Sequence, residues 1–99
     1  NRLATIEKAW PAANVRDFVD HIDYAVDLMG IDHVGISSDF DGGGGIVGWN
    51  DASETLNVTT ELVARGYSEE QIRKLWGGNL LRVWRQAELT ATRLQTHNP

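Results

Sequence analysis

The sequence contains no cysteine. That removes disulfides, thiolate metal sites and cysteine nucleophiles together, while leaving the compartment open. No apolar run approaches the ~18 residues needed to span a bilayer, so no membrane-spanning segment is expected. Residues 1–10 carry no apolar signal-peptide core, and the first residue is not Met; this reads as a chain that begins inside a longer protein or after processing. Cations are few and scattered, with 9 Lys and Arg against 14 Asp and Glu and a formal net charge of -5. Nucleic acid is therefore disfavoured as a partner, because phosphate binding needs clustered cations. The acidic balance serves solubility. What is present is 99 residues, 41% hydrophobic and 23% charged, enough for one small domain.

Periodicity supplies most of the architecture. Ala4 to Trp10 reads as a short helical turn interrupted by Pro11. Val15, Phe18, Val19, Ile22, Val26 and Met29 recur at spacings of three and four, the apolar face of a helix over about 14–29. Asn14 is its candidate N-cap and Gly30 its stop. Residues 32–38 then read as a short β-branched strand, with Val34 and Ile36 on one face and His33, Gly35, Ser37 and Asp39 on the other. A glycine-rich loop follows over 41–48. Leu56, Thr59, Thr60, Leu62 and Val63 suggest a helical face over about 52–65. Ser68 and Gln71 fit a capping box opening a helix over about 69–76. Gly77 and Gly78 break it, and a last helix runs over about 79–94, with Trp76 and Trp84 at core spacing and a frayed tail from Gln95.

The order is thus helix, one central strand, glycine loop and three helices. A lone strand cannot satisfy its own backbone donors and acceptors. The sequence offers no second convincing strand. An α/β class follows, and with it the expectation that this is a fragment. Its strand would pair with the rest of a larger sheet or, in isolation, self-associate through its edges over 32–38.

The densest chemical signal is Ser37-Ser38-Asp39-Phe40-Asp41-Gly42. In parallel α/β folds, active sites lie at the C-terminal ends of strands. Asp39 falls there, on the face made small by Gly35 and Ser37. A carboxylate so placed can act as a general base, ligate a metal or hold an ammonium group. It can equally cap a turn, and the residues alone leave both readings open; Asp41-Gly42 reads as turn chemistry. The Gly42–Gly45 run matches neither GxxxxGK[ST] nor a GxGxxG opening a helix, so it reads as a pocket rim rather than a phosphate cradle. His33 starts the strand and lies ~20 Å from Asp39 along it, too far to share a metal. His21 and His33 both read as structural, and His97 as part of the tail. Trp49, just after the glycines, is a candidate pocket-lining residue.

Four separated blocks carry a resemblance. They are His21-Ile22-Asp23-Tyr24, Gly30-Ile31-Asp32-His33-Val34-Gly35-Ile36-Ser37-Ser38-Asp39-Phe40-Asp41-Gly42, Leu62-Val63-Ala64-Arg65-Gly66-Tyr67-Ser68-Glu69-Glu70 and Gly77-Gly78-Asn79-Leu80-Leu81-Arg82-Val83. In this order, over roughly 13–88, the chain resembles the membrane (renal) dipeptidase family. The glycine loop through Trp49 is similar to bacterial members, and the compartment, cytoplasm or periplasm, stays open. The resemblance implies a (β/α)8 TIM barrel with two zinc ions that hydrolyses dipeptides, often with a D-residue at the C-terminal position. In that frame 14–29 is the seventh barrel helix, 32–38 the eighth strand, and the chain the C-terminal portion of the barrel. Asp39 is then the catalytic carboxylate that handles the proton of the attacking water, near the substrate's amino group. Phe40, Gly42, Gly43 and Trp49 line the pocket rim. The zinc ligands, a His-x-Asp pair, a bridging Glu and two later His, fall on earlier strands. None is expected in this chain, which alone should bind no zinc and be inactive. Two other readings stand beside this one: a binuclear amidohydrolase acting on a non-peptide substrate, and a non-catalytic helical interaction module.

Overall fold

The computed structural model describes residues 11–97; the helical turn expected over Ala4 to Trp10 lies outside them. The first helix, α1 (Val15–Met29), starts where two side chains and two backbone donors pair reciprocally. The Asn14 Oδ1 accepts from the Asp17 N–H at 2.9 Å, and the Asp17 carboxylate accepts from the Asn14 N–H at 3.1 Å. This box satisfies donors that have no partner inside the helix. At the other end the Gly30 N–H donates to the Val26 carbonyl at 2.7 Å. The inward face buries Val19 and Ile22, with Val15, Phe18 and Val26 packed beside them.

The segment after Gly30 departs from the expected strand. Ile31–His33 forms a 3-10 turn, and no β-strand forms among the described residues. The physical reason is the one that makes a lone strand untenable: a ladder needs a neighbouring strand, and none lies among the described residues. Only isolated bridges occur, Asn14 with Val47 and Ile46 with Trp49. The alternation of the segment survives without a ladder. Val34 is buried and Ile36, Ser38 and Phe40 are half-buried, whereas Gly35, Ser37 and Asp39 are exposed. Two long-range contacts hold it extended. The Ile36 N–H donates to the Leu75 carbonyl at 2.9 Å. The buried Asn79 donates its amide to the carbonyls of Ile31 at 2.7 Å and Val34 at 2.8 Å. Asn79 thus clamps this segment.

Beyond the glycine loop, a 3-10 turn (Ala52–Glu54) leads into α2 (Thr55–Ala64). The buried residues of α2 are Val58 and Leu62, while Leu56 and Val63 are exposed. Its inner face is therefore rotated from the one the apolar residues suggest, because Thr55 and Thr59 turn inward to bond indoles. Ser68 opens α3 (Glu69–Arg73) with a second capping box, the Gln71 N–H on its Oγ at 3.1 Å. A π-helical turn over Lys74–Gly78 joins it to α4 (Asn79–His97). Where the tail was expected to fray from Gln95, the helix continues, with Thr92 and Thr96 hydroxyls bonded back to the carbonyls of Glu88 and Thr92.

The core gathers Val19, Ile22, Val34, Trp49, Val58, Leu62 and Leu75. Most of α4 stands clear of it. Trp84, expected to pack, is 60% exposed along with Leu80 and Leu94, because nothing among the described residues covers that face. The radius of gyration is 18.0 Å, against ~13 Å for a compact chain of about 100 residues.

Candidate functional site

Asp39 sits where the extended segment breaks into a 3-10 turn, Phe40–Gly42. Its backbone is left-handed, φ 54° and ψ 36°, and it is the one non-glycine residue with positive φ among those described. Asp tolerates this region better than most side chains, and such conformations gather at functional sites. The turn closes without the carboxylate. The Gly42 and Gly44 N–H groups donate to the Asp39 carbonyl at 3.0 and 2.7 Å, and the Phe40 N–H reaches the Ser38 Oγ at 3.4 Å. The Asp39 side chain makes no capping hydrogen bond. The turn-capping work falls to Ser38 and to a main-chain oxygen. The carboxylate stands exposed, on the same face as Gly35 and Ser37. Asp41, next to it, is exposed as well.

The glycines fit closely around this turn. A Cβ on Gly44 would run into the Ser38 and Asp39 carbonyls, so the loop closes only with glycine there. A Cβ on Gly42 would instead meet the Asp39 carboxylate itself. Gly42 and Gly43 are exposed, and Phe40 is half-buried. The far end of the loop is pinned to α1, with the Val15 N–H on the Val47 carbonyl at 3.1 Å and the Val47 N–H on the Ala13 carbonyl at 3.0 Å.

The structure places Trp49 beneath this loop, not on its rim. It is 4% exposed. Phe18, Phe40 and Trp76 pack edge-on around its ring at centroid distances of 5.2, 5.3 and 5.8 Å, the geometry aromatic quadrupoles favour. Its indole N–H donates to Thr55 Oγ1 at 3.2 Å, and that of Trp76 to Thr59 Oγ1 at 2.9 Å. Because Phe40 adjoins Asp39, this cluster fixes one side of the turn that carries the carboxylate.

A second polar cluster was not singled out from sequence. Arg65, at the end of α2, reaches back to α1. Its Nη1 lies 2.7 Å from both Asp20 and Asp23, its Nε 3.1 Å from Glu61, and its Nη2 bonds the Arg16 carbonyl at 2.9 Å. The Tyr67 hydroxyl donates to Asp23 at 2.5 Å. Desolvation pushes the Asp23 carboxyl upward, but the hydrogen bonds from Tyr67 and Arg65 and the Arg65 charge outweigh it and leave the group below its ordinary value. Burial, with Asp23 beside it, pushes the Tyr67 phenol up. Partners 42 and 44 residues apart leave no local signal in the sequence. His21-Ile22-Asp23 has the spacing of a His-x-Asp pair, yet it lies on α1 with Asp23 engaged by Arg65 and Tyr67. His21 and His33 are both exposed. Among the described residues no three His, Asp or Glu side chains converge as a metal ion requires. The described residues therefore do not by themselves fit a zinc site. No helix among the described residues is long and apolar enough to cross a membrane.

Comparison with known proteins bears on the site as a whole. The chain is 49% identical over 78 residues to Dipeptidase ataJ of Aspergillus terreus, covering 78% of the chain and 19% of that relative. It is 39% identical over 77 residues to Dipeptidase tcpJ of Claviceps purpurea, covering 77% of the chain and 18% of the relative. Both of these relatives are fungal. A crystal structure of the probable dipeptidase PvdM from Pseudomonas aeruginosa superposes with a TM-score of 0.74 at 58% identity, over 83% of the chain and 20% of that structure. The chain thus spans about a fifth of the length of the relatives it matches. The sequence profile described as "Membrane dipeptidase (Peptidase family M19)" matches residues 4–98, and the chain belongs to that family.

Proposed function

We propose that this chain serves the active site of a zinc-dependent dipeptidase, to which it contributes Asp39 as the proton-handling carboxylate. The observation that carries the proposal is that the Asp39 turn is closed by groups other than the carboxylate, which leaves it exposed and without a structural task among the described residues. A group held in a left-handed backbone without local use is better accounted for by chemistry than by turn capping. In hydrolysis of a dipeptide, a water oxygen bonds to the peptide carbonyl carbon. Asp39 accepts the proton that water loses. It returns that proton to the amide nitrogen as the C–N bond breaks, so the leaving group departs as a neutral amine. Zinc, when bound, supplies a water of lowered pKa; its two-ion site would draw on ligands outside this chain. The alternation of Val34 and Ile36 against Gly35, Ser37 and Asp39 fits an eighth strand seated in a (β/α)8 barrel, the small face toward the barrel mouth and the Phe40, Gly42 and Gly43 turn at its rim. In isolation the chain would be inactive.

The experiment is to assay the full-length protein and its Asp39→Asn variant against a panel of L,L- and L,D-dipeptides and of N-acyl amino acids lacking the free amine. Turnover confined to dipeptides and lost in the variant supports the proposal. Preferential turnover of the amine-free amides points to an amidohydrolase of different substrate class.

A further inference from the structure

Gly42 and Gly44 lie two residues apart in one loop, but a side chain would meet different things at each. At Gly44 a Cβ strikes main-chain oxygens that cannot move without opening the turn. At Gly42 it would lie 2.9 Å from Cγ and Oδ2 of Asp39, and nearer still to Oδ1. Those atoms are the free end of an exposed side chain, able to rotate away at little cost to the fold. Gly42 also has no positive φ, so its backbone accepts alanine. An added methyl at this position therefore leaves the loop standing and evicts the carboxylate from its place.

We infer that Gly42 is a positioning residue: the space left by its missing side chain is what the Asp39 carboxylate occupies. It sets the carboxylate's orientation relative to the reacting atoms from within the rim turn. The inference rests on the reading of Asp39 as the proton-handling group. Among the described residues the carboxylate has no hydrogen bond that would hold it from the other side, so the close fit against Gly42, together with the left-handed backbone, defines where it points.

The test uses steady-state dipeptide hydrolysis by the full-length protein. For Gly42→Ala, kcat should fall about 10–100-fold, the cost of misplacing a catalytic group by roughly 1 Å. kcat should fall much further than KM rises, since the added methyl meets the Asp39 carboxylate first. The thermal midpoint should move by no more than about 2 °C. The double variant Gly42→Ala with Asp39→Asn should be no slower than Asp39→Asn alone, because a residue acting only through Asp39 has nothing left to position. Gly66→Ala is the control for backbone strain. Gly66 has φ +91° with open space around it and lies outside the site, so its substitution should lower the midpoint and spare kcat. Normal kcat in Gly42→Ala, a further loss in the double variant, or an equal kcat loss in Gly66→Ala would overturn the inference. If Asp39→Asn itself keeps near-normal turnover, the reading of Asp39 fails and takes this inference with it. If Asp39→Asn is slow and Gly42→Ala is not, only the positioning role fails.

Discussion

Replacing Trp49 separates the two places this residue has been given, a pocket rim by sequence and a core by structure. The ring is 4% exposed and touches Phe18, Phe40 and Trp76 edge-on. Trp49→Ala would open a void in the middle of that cluster. Losses of this kind cost about 3–5 kcal/mol, a large part of the roughly 5–15 kcal/mol that holds a domain together. Trp49→Phe keeps most of the ring in its slot. It removes the indole N–H that donates to Thr55 at 3.2 Å, so its cost should be roughly 1–2 kcal/mol. The assay is guanidinium unfolding of the full-length protein followed by far-UV circular dichroism, which is insensitive to the remaining indoles. The midpoint should fall in the order wild type, Trp49→Phe, Trp49→Ala. Since Phe40 leads directly from Asp39, kcat should fall more than KM rises. If Trp49→Ala leaves the midpoint almost unmoved and raises KM instead, the ring belongs to the pocket surface and the packing argument is wrong.

Two further outcomes probe the supports of the fold. The Asp23 carboxyl titrates below its ordinary 3.8 because Tyr67 and Arg65 hold its charged form. A depressed folded-state value means the contribution is complete above the unfolded value and is lost as pH falls through the folded one. The stability gap between wild type and Asp23→Asn should therefore be constant at neutral pH and shrink below pH about 3.8, which thermal melts across pH 2.5–7 (roughly the span needed) will read. A gap that does not change with pH would show that the Arg65 contact is not electrostatic. Asn79→Ala should cost roughly 1–3 kcal/mol by stranding the buried Val34 carbonyl, measured as a drop in unfolding midpoint; an unchanged midpoint would remove Asn79 as the clamp on the 31–34 segment.

How much of this was legible in the sequence depended on the range of the interactions. The boundaries of α1 are visible because Asn14, Asp17 and Gly30 act within a few residues of one another, and the same holds for the Ser68–Gln71 box. The alternation through Val34, Ile36 and Asp39 is a local pattern too, and the exposure of each residue follows it. The ladder it promises is absent because pairing is a property of two segments, and no second one lies among the described residues. Trp49 and Trp84 exchanged places for a similar reason. A tryptophan beside a glycine run looks like a rim residue and one at helical spacing looks like core, until tertiary packing buries the first and leaves the second on an uncovered face. Asp23, Arg65 and Tyr67 were matched as parts of family blocks, but their contact closes more than forty residues of chain and has no spacing to betray it. The role of Gly42 needed coordinates outright, since what matters there is the position of an atom that glycine does not have.

The central claim is that Asp39 moves a proton, and the most direct measurement is the turnover number of full-length Asp39→Asn beside Asp41→Asn, with bound zinc determined in both. Asn keeps the shape of the side chain and tolerates the left-handed backbone, so the substitution removes basicity and little else. The account predicts that kcat falls about 10²–10⁴-fold in the Asp39 variant, that metal content is unchanged, and that the Asp41 variant loses far less. Near-normal turnover in Asp39→Asn, or equal damage from Asp41→Asn, would contradict it and return Asp39 to the geometry of its turn.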